Sequence, residues 1–227
     1  MSIISPEFIN YVPYIIEGAL WTFSLTFGGL GLGFLIGLPI AIGQVYGGRV
    51  VKTLLDIYVW FFRGVPLIVQ LFLFYWGVFP LVFGVKLSAL LTSIIVLGLR
   101  SGAYQSQIFR GAIESIEEGQ MLAARALGMT KAQAITHIIL PQALRIAIPG
   151  WTNEYAILLK DSAICFALGV LETLNRTRYV VIATGEALIP YIFAGIMFII
   201  YTYGGTKLFN IIYEKVQIPG LIKGGGM

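Results

Sequence analysis

The sequence predicts an all-α membrane protein of five transmembrane helices with one polar, helical loop between the third and fourth. Three observations predict it. Hydrophobic residues make up 58% of the 227 and charged residues only 11%, against about 25% charge in soluble domains. Mean hydropathy is +0.87. Five apolar segments each reach the roughly 20 residues that a helix needs to cross the hydrocarbon core. The whole chain, residues 1–227, reads as one transmembrane domain with the polar loop, about 110–141, inside it.

The remaining composition excludes several classes. With so few exposed residues to carry it, a net charge of +4 reads as topology information, and no nucleic-acid partner is expected. Cys165 has no second cysteine to pair with and reads as a small packing residue. The first positive charge is Arg49, so a cleavable signal peptide with its basic start is not expected.

The elements follow in order. Ser5, Pro6 and Glu7 form a helix start, an N-cap followed by Pro and an acid, and predict a short interfacial helix over about 6–12. Span one covers roughly 14–43. Gly29, Gly33 and Gly37 recur in it at the small-residue spacing that lets helices approach closely. Span two covers roughly 52–79. Pro66 removes a backbone donor there and frees the carbonyl near Phe62, which predicts a kink. Spans three, four and five cover roughly 87–109, 147–171 and 188–213. Arg49 and Lys52, then Arg110, Arg125, Lys131 and Arg145, then Lys215 and Lys223, fall on one side; Lys86, Arg176 and Arg178 fall on the other. The positive-inside rule then places the N-terminus outside and the polar loop and C-terminus in the cytoplasm.

Within the loop two short helices are expected. Ser115 with Glu118, and Thr130 with Gln133, fit capping boxes. Gly128 sits where a left-handed C-terminal cap belongs, and Pro141 limits the second helix. The first helix presents Met121, Leu122, Ala123, Ala124, Ala126 and Leu127 beside Arg125. A short helix apolar on nearly every side must bury itself, against its own bundle or in a partner's groove. Gly204-Gly205-Thr206-Lys207 is only a fragment of a phosphate loop and lies in span five, so this chain is not expected to hydrolyse ATP. His137, the one histidine, has no second ligand near it in sequence, so no metal site is expected. No nucleophile–base set points to an enzyme.

Leu122-Ala123-Ala124, three residues, Gly128, nine residues, Ile138, one residue, then Leu140-Pro141 resembles the signature loop of the membrane subunits of bacterial ABC importers. In that family the first position is Glu; here it is Leu122. Phe62-Arg63-Gly64-Val65-Pro66-Leu67, then Val69-Gln70, is similar to a run of the polar amino acid permeases of histidine, arginine and glutamine type, with Val65 where Thr is common. Ala103-Tyr104, Phe109-Arg110-Gly111-Ala112-Ile113, Gly119-Gln120, Leu140 to Arg145, Asn153-Glu154 and Leu159 to Ser162 fit the same subfamily in the same order. The resemblance implies a type I ABC importer permease in the bacterial cytoplasmic (inner) membrane. It implies a second permease subunit, identical or not, and ABC ATPase subunits docked on Met121 to Gly128. It also implies an extracytoplasmic amino-acid-binding protein and alternating access. ATP and Mg would be held by the partner ATPase, with no cofactor in this chain.

Charges within the bilayer are costly and mark function. The candidates are Glu17, Asp56, Arg63, Glu154, Lys160 and Asp161. Glu154 and Asp161 are seven residues apart and share a helix face. A break near Leu159–Ser162 would bring Lys160 to the same cavity and expose backbone groups. Ion pairs of Arg63 with Asp161 or Asp56, or of Lys160 with a carboxylate, are one reading. The other is a substrate site. There Glu154, with Asn153 and Glu17, meets the cationic end of an amino acid, and Tyr58, Tyr104 and Gln105 complete the pocket. Two carboxylates without evident cationic partners favour arginine, lysine or histidine. An ion-coupled secondary transporter using Glu154 and Asp161, or a channel subunit, is the alternative; no clear repeat relates the two halves of the chain.

Overall fold

A computed structural model describes residues 6–216, so the Ser5 cap and Lys223 lie outside the described residues. Helix α1 runs unbroken over Pro6–Tyr46, 41 residues, or roughly 60 Å at 1.5 Å per residue. The interfacial helix expected over 6–12 is therefore not a separate element. Nothing between it and span one ends the helix, and Pro13 and Pro39 are both accommodated within it.

α1 packs along α4 (Ala89–Glu114). The contact is made by small residues on both helices. A Cβ on Gly33 would stand 2.6 Å from Gln105 Nε2 and 2.8 Å from Ser101 Cβ, and one on Gly37 would stand 2.8 Å from the Gly102 carbonyl. Reciprocally, Gly98 faces Leu32 and Gly102 faces Ile36. Backbones this close gain dispersion contact that lipid does not supply.

α2 (Arg49–Gly64) ends where Val65 turns extended, at φ −86° and ψ 134°, as a residue before proline prefers. α3 (Leu67–Phe72) continues as a wide π-turn segment over Leu73–Val82. The axis bends by 108° between the two arms, so the kink expected at Pro66 is a full break. α4 starts at the Ser88 cap, whose Oγ accepts from the Leu91 amide at 3.2 Å.

α5 (Glu118–Ala126) is the first loop helix. Its N-cap is Glu117, without a side-chain cap, and Ser115 instead closes α4 by donating to the Ala112 carbonyl; the capping box expected from Ser115 and Glu118 does not form. The box of Thr130 with Gln133 does, at the start of α6 (Lys131–Ala134). α6 runs through a π-turn, Ile135–Ile139, into α7 (Leu140–Asp161). Pro141 therefore does not end the second loop helix. The wider turn, in which the Leu140 amide reaches the Ile135 carbonyl, accommodates the missing proline donor.

α7 tightens to a 3₁₀ segment, Ser162–Leu168, at the break expected near 159–162. α8 (Thr173–Thr184), capped by Glu172, and α9 (Leu188–Val216) follow. By length and apolarity alone, among the described residues, α1 and α9 can cross a membrane, with the bent α2–α3 pair as a third. α4 corresponds to predicted span three, and α7 with its 3₁₀ extension overlaps predicted span four but starts earlier, at Leu140. α4 buries Thr92, Ser93, Ser101, Gln105 and Ser106, and α7 buries Thr152 and Glu154. Their polar residues point into the bundle, where Leu25, Leu97, Tyr155, Leu158 and Leu159 form a core.

Replacing Gly33 by Leu is expected to destabilise the permease by about 1–3 kcal/mol, the usual cost of overpacking a filled interface. Thermal unfolding in detergent measures it, with Gly31→Leu, where a Cβ meets nothing within 4 Å, as the unaffected control.

Candidate functional site

The break at Pro66 leaves carbonyls that the helix cannot satisfy, and unsatisfied backbone is costly in a membrane. Two side chains satisfy them. Gln70 Nε2 donates to the carbonyls of Phe62 at 2.9 Å and Val65 at 2.8 Å. Arg100 Nη1 reaches the same two oxygens at 3.4 Å each, and its Nε donates to Asp161 Oδ2 at 3.3 Å. Arg100 thus ties the broken helix to the end of α7, where Ser162 Oγ donates to the Leu159 carbonyl at 2.7 Å.

This arrangement corrects the expected ion pairs. Asp161 pairs with Arg100, not Arg63. Asp56 accepts from Gln44 Nε2 at 2.7 Å, and Gln44 in turn accepts from Gln107. Arg63 is exposed and lies over the Tyr104 ring, 5.1 Å from its centroid; Arg100 lies over the same ring at 5.2 Å. Arg100 was not among the sequence candidates. It is a charge inside predicted span three, the same signal that selected the others.

Glu154 lies next to this cluster. It is 3% exposed and accepts from Ser101 Oγ at 2.6 Å. Ser101 accepts from Gln105 Nε2 at 2.9 Å, and Gln105 Oε1 accepts from Trp151 Nε1 at 2.6 Å. Gln105, fully committed to this chain and to the Leu30 carbonyl, holds Ser101 in place. Asp161, Arg100 and Arg63 all act on Glu154 electrostatically. Among the described residues Glu154 forms no ion pair.

The other candidates are placed differently. Glu17 pairs with Arg176 of α8 at 2.7 Å, and Arg176 also donates to the carbonyls of Tyr14 and Leu171. It therefore has a cationic partner of its own, which the sequence reading did not give it. Tyr58 donates its hydroxyl to the Leu99 carbonyl at 2.6 Å. Asn153 and Lys160 are exposed, and Lys160 lines a groove with Phe198, Tyr203 and Thr206.

At the other end of the bundle α5 is only partly buried. Ala124 is 4% exposed and Met121 packs on the cluster around Ile139. Leu122 and Leu127 are 68% and 85% exposed, and Ala123, Arg125 and Ala126 are exposed beside them. Gly128, at φ +85°, ends the helix in a Schellman motif: the Met129 amide reaches the Ala124 carbonyl and the Gly128 amide the Arg125 carbonyl. The turn holds Leu127 out from the bundle.

Residues 29–217 match the family described as "Binding-protein-dependent transport system inner membrane component". The chain belongs to that family. This permease is 34% identical over 212 residues to a Rickettsia typhi protein named "Putative glutamine transport system permease protein GlnP", covering 93% of this chain and 97% of that one. It is 41% identical over 175 residues to "Probable amino-acid permease protein YxeN" of Bacillus subtilis, covering 76% and 78%. Among solved structures, that of "an amino acid ABC transporter with histidines" superposes with a TM-score of 0.84 at 32% identity, over 95% of this chain and all of that one. The MetNI methionine ABC transporter shares the fold, with a TM-score of 0.78 at 21% identity. The type I permease fold and the resemblance to amino acid ABC importers are thus borne out. The chain is the permease subunit of such an importer and not its catalytic subunit.

Arg100 and Asp161 are expected to be energetically coupled. Their side chains are 16% and 21% exposed, so a double-mutant cycle of Arg100→Leu and Asp161→Leu is expected to give a coupling of about 0.5–2 kcal/mol by thermal unfolding in detergent. A coupling of zero would show that the pair contributes nothing.

Proposed function

We propose that this permease passes a polar amino acid with a cationic side chain, of the arginine, lysine or histidine kind, inward by alternating access. The observation that carries the reading is Glu154, a buried carboxylate held by Ser101 that forms no ion pair among the described residues. A buried carboxylate left in that state accepts a cation readily. Arg63 is the complementary group. It forms no ion pair among the described residues and offers a planar fork to a substrate carboxylate. Tyr104 positions it, and Asn153 and Ser162 supply further donors and acceptors. Glu17 is taken by Arg176, so the preference for a cationic side chain rests on Glu154 alone.

The same reading places α5 and the C-terminus in the cytoplasm and the N-terminus outside. The exposed Leu122 and Leu127 then dock into an ABC ATPase subunit that binds ATP and Mg. A second permease subunit completes the path, and an extracytoplasmic binding protein delivers the amino acid.

In proteoliposomes containing the complete transporter, Glu154→Gln is expected to lower uptake of labelled arginine about 10- to 100-fold, the worth of one charge-assisted hydrogen bond, with a smaller effect on glutamine. An unchanged arginine uptake would remove Glu154 from the site. Leu127→Asp is expected to weaken co-purification of the ATPase at least about 10-fold, as loss of a central interface anchor does, without changing the unfolding temperature of the permease. Undiminished co-purification would place the docking elsewhere.

A further inference from the structure

Between α1, α4, α7 and α9 lies a cavity of about 460 Å³, within the roughly 300–1,000 Å³ of small-molecule sites. Phe34, Phe109, Leu144, Trp151 and Ile212 give it apolar walls, and Arg145 is the one charged residue among its described lining. Arg145 is exposed and forms no ion pair among the described residues.

The level of the cavity is set by its neighbours. Phe109 is followed by Arg110, and Val216, at the rim, is preceded by Lys215. Its mouth therefore lies in the band of basic residues that marks the cytoplasmic interface. Apolar walls below a guanidinium without a carboxylate partner fit an amphiphile with an anionic head. Guanidinium binds phosphate through paired hydrogen bonds, and basic pockets between helices on this side of a membrane hold lipid headgroups.

One wall has a second connection. The Trp151 indole, packed edge-on to Phe34 and Phe209, heads the hydrogen-bond chain through Gln105 and Ser101 to Glu154. An acyl chain lying on this ring restricts it, and with it the orientation of Ser101 toward the carboxylate.

We propose that this cavity binds an anionic phospholipid of the inner leaflet, its phosphate on Arg145 and an acyl chain against Phe34, Phe109 and Trp151, and that occupancy supports the Glu154 site through Trp151. The headgroup assignment rests on the orientation given above, and the link to Glu154 rests on the substrate reading. Lipid binding itself is measured without transport, so the two can fail separately.

The test starts with native mass spectrometry of the permease–ATPase complex in detergent with added phosphatidylglycerol or phosphatidylcholine. Arg145→Gln is expected to lower phosphatidylglycerol adducts about fivefold, the contribution of one cation to an anionic headgroup, and to leave phosphatidylcholine adducts unchanged. Arg145→Lys retains most of the phosphatidylglycerol, and Leu144→Trp, which fills the cavity, removes it with Arg145 in place. Equal phosphatidylglycerol retention in Arg145→Gln and the parent protein overturns the site, as does an equal loss of both lipids. So does an adduct that appears only after deletion of residues 217–227, which would give the cavity to the chain's own C-terminal segment. In vesicles, adding phosphatidylglycerol to phosphatidylcholine is expected to raise substrate-stimulated ATPase activity in the parent complex and not in Arg145→Gln. Binding without that stimulation overturns the link through Trp151. Absence of amino acid uptake in every vesicle overturns the substrate reading and leaves the adduct result standing.

Discussion

The close approach of α1 to α4 is the constraint on which the rest of this permease depends. Gly29, Gly33 and Gly37 on one helix and Gly98 and Gly102 on the other bring two backbones within reach of each other's side chains. Gln105 consequently reaches across to the Leu30 carbonyl while holding Ser101 and accepting from Trp151. In lipid, association has no hydrophobic driving force, so small-residue contact and satisfied polar groups must supply it. The interface at α4 supplies both, and its Ser101 holds Glu154.

The second determinant is the proline break between α2 and α3. A polypeptide in a bilayer can leave its helix only where something else takes up the freed carbonyls. Gln70 and Arg100 do so here. Because Arg100 also binds Asp161, the junction of α2 and α3 and the junction of α7 with its 3₁₀ extension are joined by one side chain. Two irregular backbone regions, from distant parts of the chain, are thereby tied together by Arg100.

The same α7 reaches the opposite end of the molecule. With α6 and the intervening π-turn it runs from Lys131 to Asp161, roughly 45 Å at 1.5 Å per residue. The loop helix α5 packs on this element through Met121 and Ile139, so one continuous helical element joins the loop to Glu154 and Asp161. The π-turn takes up the donor missing at Pro141, and α7 holds Pro149 within it without a break.

The sequence by itself determined the membrane class, the five apolar segments, the small-residue stripe of α1, a bend at Pro66, the Gly128 cap and the membership in an importer family. Each is a local or periodic signal: apolar length, glycine spacing, a missing donor, a left-handed turn. It placed Glu154 among the functional candidates because a carboxylate in lipid is conspicuous wherever it stands. Only the tertiary structure decided the partners. That Glu17 meets Arg176, that Asp161 meets Arg100 and not Arg63, and that Asp56 meets Gln44 follow from which helix faces turn toward each other. Spacing along one helix fixes a face but not what lies opposite it. The fusion of the second loop helix into α7 was likewise beyond local rules, because a proline reads as a stop until the packed helix around it shows a turn wide enough to hold its ring.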